Sequence, residues 1–192
     1  MDWLSLDSLS DLGWGVEVFA VVTVTLIVRY LAMRILNILE RHLQKTDNVW
    51  DDALFEAAHK PLSWFILIFG LLWAVRISAG YIESDLFASS NLDLVGQLAF
   101  IVLIMIFLVR FISSAEARIL ENLQRQPGSE QTRFDPTTLH ALAKLLRLST
   151  VISAALVALP TVGIEITALL AFGGVGGLAV GFAAQDLLSN FF

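Results

Sequence analysis

Apolar residues along the chain fall into five long runs that alternate with polar stretches. The runs occupy residues 14–36, 61–79, 94–112, 139–159 and 167–192. A helix of roughly 20 apolar residues crosses the hydrocarbon core of a bilayer, with a range of about 17 to 25. The pattern therefore predicts five membrane-spanning helices, with two long polar connections at 40–60 and 113–144. The second connection is interrupted by Gln-Pro-Gly-Ser at 126–129.

The last twenty residues, at 173–192, read GGVGGLAVGFAAQDLLSNFF and carry their small residues in two stripes. With each residue turned about 100° from the one before, Leu178 and Phe182 share one helix face with Gln185. Both flanks of this face are small, with Gly173, Gly177, Gly181 and Ala184 on one side and Gly176, Ala179 and Ala183 on the other.

Small residues let helix backbones approach closely, which is a main source of helix association in a membrane because apolar burial gives no net attraction there. One small face suits a dimer, whereas two suit a ring of identical helices. The last run is therefore predicted to line a pore. Small-residue packing inside a monomeric bundle, through Gly173, Gly177 and Gly181, is the alternative.

Composition supports the assignment to the membrane. Of the 192 residues, 57% are hydrophobic and 16% are charged, and the mean hydropathy is +0.75. Soluble proteins are about 25% charged. The sequence therefore predicts an all-α integral membrane protein.

Motifs for catalysis or cofactor binding are absent from the sequence. There is no cysteine, Walker loop, HExxH motif or Ser-His-Asp order, and no basic groove with interleaved aromatic residues. His42, His59 and His140 are scattered in or beside the polar connections, where solvated histidines are the common outcome. We therefore expect no enzymatic activity, no cofactor or metal, and no nucleic-acid partner.

The positive charges predict the orientation in the membrane. All but one of the twelve lysines and arginines lie around the two long connections, while acidic residues dominate the other ends of the spans. Lysine and arginine accumulate on the cytoplasmic side, so we expect the N-terminus outside and the C-terminus in the cytoplasm. Arg76 is the exception, and a snorkelling side chain at the outer end of its helix accommodates it.

A short internal repeat appears at an offset of 84 residues, which places Arg34 on Arg118 and Lys60 on Lys144. The match is short, and chance similarity is the alternative. As a repeat, it predicts that spans one and two form a helical hairpin and that spans three and four form another in the same orientation. The fifth span is then left unpaired, and copies from other subunits are its natural partners.

The run at 173–192 resembles the pore helix of the small-conductance mechanosensitive (MscS-type) channel family, especially in GLAVG and in the Gln and Leu-Ser-Asn that follow. The likeness extends upstream to Asp135. The two additional spans in the first 134 residues look like the variable N-terminal helices of larger family members. The implied division is into sensor helices at 1–134, a fourth span with its outer turn at 135–166, and a pore-lining helix at 167–192.

The resemblance implies a homoheptamer in the bacterial inner membrane, opened by bilayer tension under osmotic stress, with membrane lipids and permeating ions as partners. It also implies a β-rich cytoplasmic domain beyond the pore helix, so this chain is expected to be part of a longer protein. Leu178 and Phe182 would close the pore. The residues implied in helix packing are Gly173, Gly177, Gly181, Ala179, Ala183 and Ala184.

Two departures from the family pattern concern the pore. Phe182 stands where an aliphatic residue is usual, which implies a narrower or rotamer-dependent constriction. Asp186 stands where the family often has a kink glycine, so Asp186 and Gln185 are candidates for a pore mouth or hinge, or for a hydrated cap near the interface. A non-conducting membrane scaffold and a small transporter subunit are the alternative functions.

Overall fold

The computed structural model of the protein describes residues 6–43, 49–81, 89–125 and 135–189. These residues form five α-helices and no β-strand. The helices are α1 (Leu6–Leu43), α2 (Val49–Ala79), α3 (Ser89–Arg125), α4 (Pro136–Thr161) and α5 (Thr167–Ser189). Each is long and apolar enough to cross a membrane. The predictions of an all-α membrane protein and of five spans are confirmed.

The helices are longer than the apolar runs that predicted them. Helix α3 continues to Arg125, well past its apolar run, through alanine, glutamate, arginine and leucine residues that favour helix. Helix α2 begins at Val49 in the first polar connection and contains Pro61. The polar connections are thus largely continuations of the spanning helices. The Gln-Pro-Gly-Ser sequence at 126–129 and residues 190–192 lie outside the described residues.

Helices α1 to α4 pack consecutively, α1 on α2, α2 on α3 and α3 on α4. Thr25 lies against Gly70 and Asn37 contacts His59, so α1 and α2 run antiparallel as a hairpin. Helices α3 and α4 form a second antiparallel hairpin, as the repeat predicts. Phe65, Phe69 and Phe100 join the two hairpins through edge-to-face ring contacts between α2 and α3.

Gly70 marks the closest approach of α1 and α2. A Cβ atom built on Gly70 would overlap the side chain of Thr25. Thr25 cannot turn away freely, because its hydroxyl donates a hydrogen bond of 2.7 Å to the carbonyl oxygen of Val21 in its own helix. The first hairpin therefore requires a residue without a side chain at this position.

Gly70→Ala is expected to push α1 and α2 apart and to lower the thermal stability of the protein in detergent by about 1–3 kcal/mol, the usual cost of overpacking. The matched control is Gly96→Ala, because a Cβ at Gly96 meets only Leu72 Cδ1 at 3.6 Å, an ordinary van der Waals distance. Both substitutions raise the helix propensity at their position by the same amount. Equal thermal midpoints for the two variants would therefore contradict the close approach of α1 and α2 at Gly70.

Candidate functional site

The turn between α4 and α5 directs the last helix away from the rest of the chain. Gly163 has φ +82°, a left-handed conformation that favours glycine. Its N–H donates to Pro160 O at 3.0 Å, and the Ile164 N–H donates to Leu159 O at 3.0 Å. This is a Schellman motif, which satisfies the last carbonyls of α4. The chain therefore leaves α4 in a fixed direction before α5 begins at Thr167.

Helix α5 packs against none of the other four helices in the described part of the chain. Its large apolar side chains are exposed all round the helix, including Leu178 at 64%, Val180 at 69% and Phe182 at 71%. An apolar helix of 23 residues with no covered face is not a stable arrangement in water. Lipid, other subunits or both must cover it.

The glycines of α5 have no steric partner among the residues that the structure describes. A Cβ atom built on any of five of them would meet nothing within 4 Å, namely Gly173, Gly174, Gly176, Gly177 and Gly181. Packing of this glycine series inside a monomeric bundle, the alternative interpretation, thus has no counterpart among the described residues. The contrast with Gly70, where a Cβ would overlap a neighbouring helix, shows what such packing looks like in this protein.

The predicted site residues all lie on α5. Leu178 and Phe182 are one helical turn apart, and Ala179, Ala183 and Gln185 are exposed, while Ala184 is half-buried. The backbone of Asp186 is helical, but its side chain lies outside the described part of the structure. The roles of these residues in closing a pore and in helix packing stay predictions.

A charged cluster lies between α3 and α4 that the sequence did not lead us to predict. Glu116 is only 8% exposed. One of its carboxylate oxygens contacts His140 Nδ1, and the other lies 3.1 Å from Arg147 Nη1. Arg147 also donates a hydrogen bond of 3.1 Å to Ser113 Oγ. The sequence feature that could have indicated this cluster is the spacing of Ser113 and Glu116. They lie three residues apart and therefore on one face of α3.

The Glu116 cluster fixes α4 to α3 within the second hairpin. Removing one partner of a buried ion pair leaves an uncompensated charge, at a cost of roughly 3–5 kcal/mol. Arg147 keeps 34% of its side chain exposed, so solvent reduces that cost.

Glu116→Gln is expected to lower the free energy of unfolding by about 2–3 kcal/mol, below the full cost of a buried pair. The control is Glu56→Gln. Glu56 forms an ion pair with Arg118 at 3.5 Å, and both side chains are well exposed. That change is expected to cost less than about 1 kcal/mol. Thermal unfolding in detergent measures both changes in stability. A Glu116 variant as stable as the Glu56 variant would contradict a stabilising role of the Glu116 cluster.

Arg76, the exception to the charge distribution, has a specific partner. Its Nη2 lies 2.6 Å from Asp93 Oδ1, and both side chains are about half exposed, at 56% and 53%. The pair joins the end of α2 to the start of α3 at the side opposite the long connections. A local carboxylate, rather than snorkelling alone, accommodates this charge.

The fold and the exposed helix together define a multi-pass membrane protein. A family model described as "Mechanosensitive ion channel, transmembrane helices 2/3" matches residues 144–185, from the middle of α4 to near the end of α5. No solved structure matches the chain significantly.

The chain is similar in sequence to several mechanosensitive channels. The chain is 29% identical to the small-conductance mechanosensitive channel MscMJ of Methanocaldococcus jannaschii over 157 residues, covering 81% of this chain and 42% of that protein. It is 30% identical to the large-conductance channel MscMJLR of the same organism over 142 residues, 73% of this chain and 37% of that protein. The low conductance mechanosensitive channel YnaI of Escherichia coli is 38% identical over 58 residues, 30% of this chain and 17% of that protein.

The chain thus spans less than half of the length of each of these relatives. It belongs to the MscS-type mechanosensitive channel family, as the resemblance of its last helix indicated. The family consists of ion channels rather than enzymes.

Proposed function

We propose that this chain forms the membrane part of a channel that opens under bilayer tension and releases ions and small solutes during hypoosmotic stress. One observation carries the proposal. Helix α5 is apolar and rich in glycine and alanine, yet it packs against none of the other described helices. The family model covers most of this helix, and the similarity to mechanosensitive channels supports the response to tension.

In the proposed assembly, copies of α5 surround an axial pore, and the family resemblance implies seven copies. The small flanks of neighbouring helices pack together, with Gly173, Gly177, Gly181 and Ala184 facing Gly176, Ala179 and Ala183. Close packing of small residues provides the van der Waals contact that drives helix association in lipid. The exposure of these residues in the single chain, except for half-buried Ala184, leaves both flanks available.

Leu178 and Phe182 form the closed constriction in this proposal. Rings of apolar side chains exclude water from a narrow pore, and a dry constriction does not conduct. The open state occupies more membrane area than the closed state, and tension favours it because only such a difference can shift the equilibrium. Gln185 and Asp186 then lie at the cytoplasmic mouth of the pore or at its hinge.

The remaining helices supply the sensor. Residues 1–134 form the sensor helices, 135–166 the fourth span and outer turn, and 167–192 the pore helix. The Glu116 cluster holds α4 to α3, and the fixed turn at Gly163 passes a displacement of α4 to α5. We place the protein in the bacterial inner membrane, as the family resemblance implies. The distribution of lysine and arginine supports an N-terminus outside and a C-terminus in the cytoplasm.

Reconstitution of the purified protein in liposomes tests the proposed function. Patches excised from these liposomes are expected to show stepwise currents when suction is applied and none at rest. Liposomes without protein provide the control. Intact, folded protein without any tension-evoked current would indicate a membrane scaffold instead.

A further inference from the structure

The two hairpins contain the same interhelical hydrogen bond with donor and acceptor exchanged. In the first hairpin, Arg29 Nε donates to Ser63 Oγ at 2.9 Å. In the second, Arg147 Nη1 donates to Ser113 Oγ at 3.1 Å. The offset of 84 residues that relates the hairpins places Arg29 on Ser113 and Ser63 on Arg147. Both hairpins thus hold a guanidinium at the same point between their helices.

The hairpins differ in how this positive charge is neutralised. Arg147 has Glu116 at 3.1 Å, whereas the position equivalent to Glu116 in α1 is Ala32. No carboxylate among the described side chains forms an ion pair with Arg29. An arginine in a spanning helix needs a counter-charge or access to water, because an isolated charge in hydrocarbon is costly.

The depth of Arg29 indicates where the counter-charge comes from. Trp14 and Tyr81 stack at one end of the first hairpin, and such aromatic pairs mark the membrane interface. At about 1.5 Å per residue, Arg29 lies about 22 Å from Trp14 along α1. Ser63 lies about 27 Å from Tyr81, which is in the turn after α2, on the same measure. The hydrocarbon core is about 30 Å thick, so this hydrogen bond places the guanidinium near the interface opposite Trp14 and Tyr81.

Lys60 lies three residues before Ser63, on the neighbouring face of α2, and is exposed. At about 31 Å from Tyr81 it reaches the depth of the lipid headgroups. Arg29 uses Nε for Ser63 and keeps its two terminal nitrogens as donors, the geometry that suits a phosphate. We propose that Arg29, Ser63 and Lys60 bind the phosphate of an anionic phospholipid. The lipid belongs to the leaflet next to the α1–α2 connection, the cytoplasmic leaflet in the proposed orientation.

This lipid supplies to the first hairpin the negative charge that Glu116 supplies to the second. The inference rests on the proposed placement in the membrane and not on gating. Binding is therefore measured at rest, so a failure of the lipid site and a failure of tension-evoked conductance are separate results.

Native mass spectrometry of the purified, delipidated protein, titrated with phosphatidylglycerol or phosphatidylcholine, measures the binding. The decisive variant is Ala32→Glu, which places a carboxylate three residues from Arg29, as Glu116 stands to Ser113. It is expected to lower the affinity for phosphatidylglycerol about tenfold, the equivalent of one charge-assisted hydrogen bond. Arg29→Gln is expected to do the same, and Ala32→Glu keeps the test valid should Arg29→Gln fail to fold.

Arg34→Gln is the matched control, because Arg34 is exposed on the same helix but about 140° around it from Arg29. It is expected to bind phosphatidylglycerol as the wild type does. Wild-type affinity in Ala32→Glu would overturn the site. Equal binding of the two lipids would overturn the requirement for an anionic lipid. Full competition by inorganic phosphate at equal concentration would show that the site binds free phosphate rather than the phosphate of a lipid.

Discussion

Phe182→Ser is expected to produce a channel that leaks at rest and opens at a lower tension than the wild type. Dewetting of the closed constriction depends on its apolar lining, and a ring of hydroxyls holds water. Removing one buried phenylalanine from an apolar environment costs about 1.5–3 kcal/mol. Loss of that stabilisation in a single copy already shifts the closed–open equilibrium by about tenfold to about a hundredfold, since about 1.4 kcal/mol is a factor of ten, and each further copy adds to it.

Patch recordings from liposomes measure the resting current and the opening threshold. The control is Val180→Ser, because Val180 is as exposed as Phe182 in the single chain but lies about 160° around the helix from it. Val180→Ser is expected to close normally at rest. A wild-type threshold in Phe182→Ser, or equal leaks in the two variants, would remove Phe182 from the constriction.

Gly177→Leu is expected to prevent assembly of the ring. A Cβ at Gly177 meets nothing within 4 Å in the described part of the chain, so the described fold has room for a larger side chain there. Leucine also favours helix over glycine by up to about 1 kcal/mol. Any loss of assembly must therefore come from a neighbouring subunit that packs against this flank.

The oligomeric state of Gly177→Leu in detergent is measured by light scattering coupled to size-exclusion chromatography. Gly177→Ala provides a graded comparison, since one methyl group separates the helices less than an isobutyl group. Val180→Leu adds bulk on the opposite side of α5 from Leu178 and is expected to assemble normally. An intact oligomer with wild-type gating in Gly177→Leu would show that this flank is not a subunit contact.

The spanning helices were predictable because their signal is local. A run such as 94–112 is long enough and apolar enough to identify a span without knowledge of its neighbours. The ends were less predictable, since α3 continues to Arg125 through polar residues whose helical state depends on their own propensity. The hairpins followed from the repeat, although the match between the two halves is short.

Interhelical contacts could not be predicted with the same certainty, because they depend on which faces meet. Nothing in the local sequence distinguishes Gly70, which contacts Thr25, from Gly96, which has ordinary space around it. His140 was likewise predicted to be solvated, and its contact with Glu116 becomes evident only when α3 and α4 are placed together. The proposed pore face of α5 is the reverse case, since its pattern is clear in the sequence while the partners proposed for it are other copies of the chain.

Cysteine accessibility tests most directly whether α5 lines a pore, and the absence of native cysteine makes the measurement clean. Single variants Leu178→Cys, Phe182→Cys and Val180→Cys are reconstituted, opened by suction and exposed to a charged, water-soluble thiol reagent. If α5 lines the pore, we expect the reagent to change the single-channel current at positions 178 and 182 and to leave it unchanged at 180. Tension-evoked currents that the reagent alters at 180 but not at 178 or 182 would contradict this role of α5.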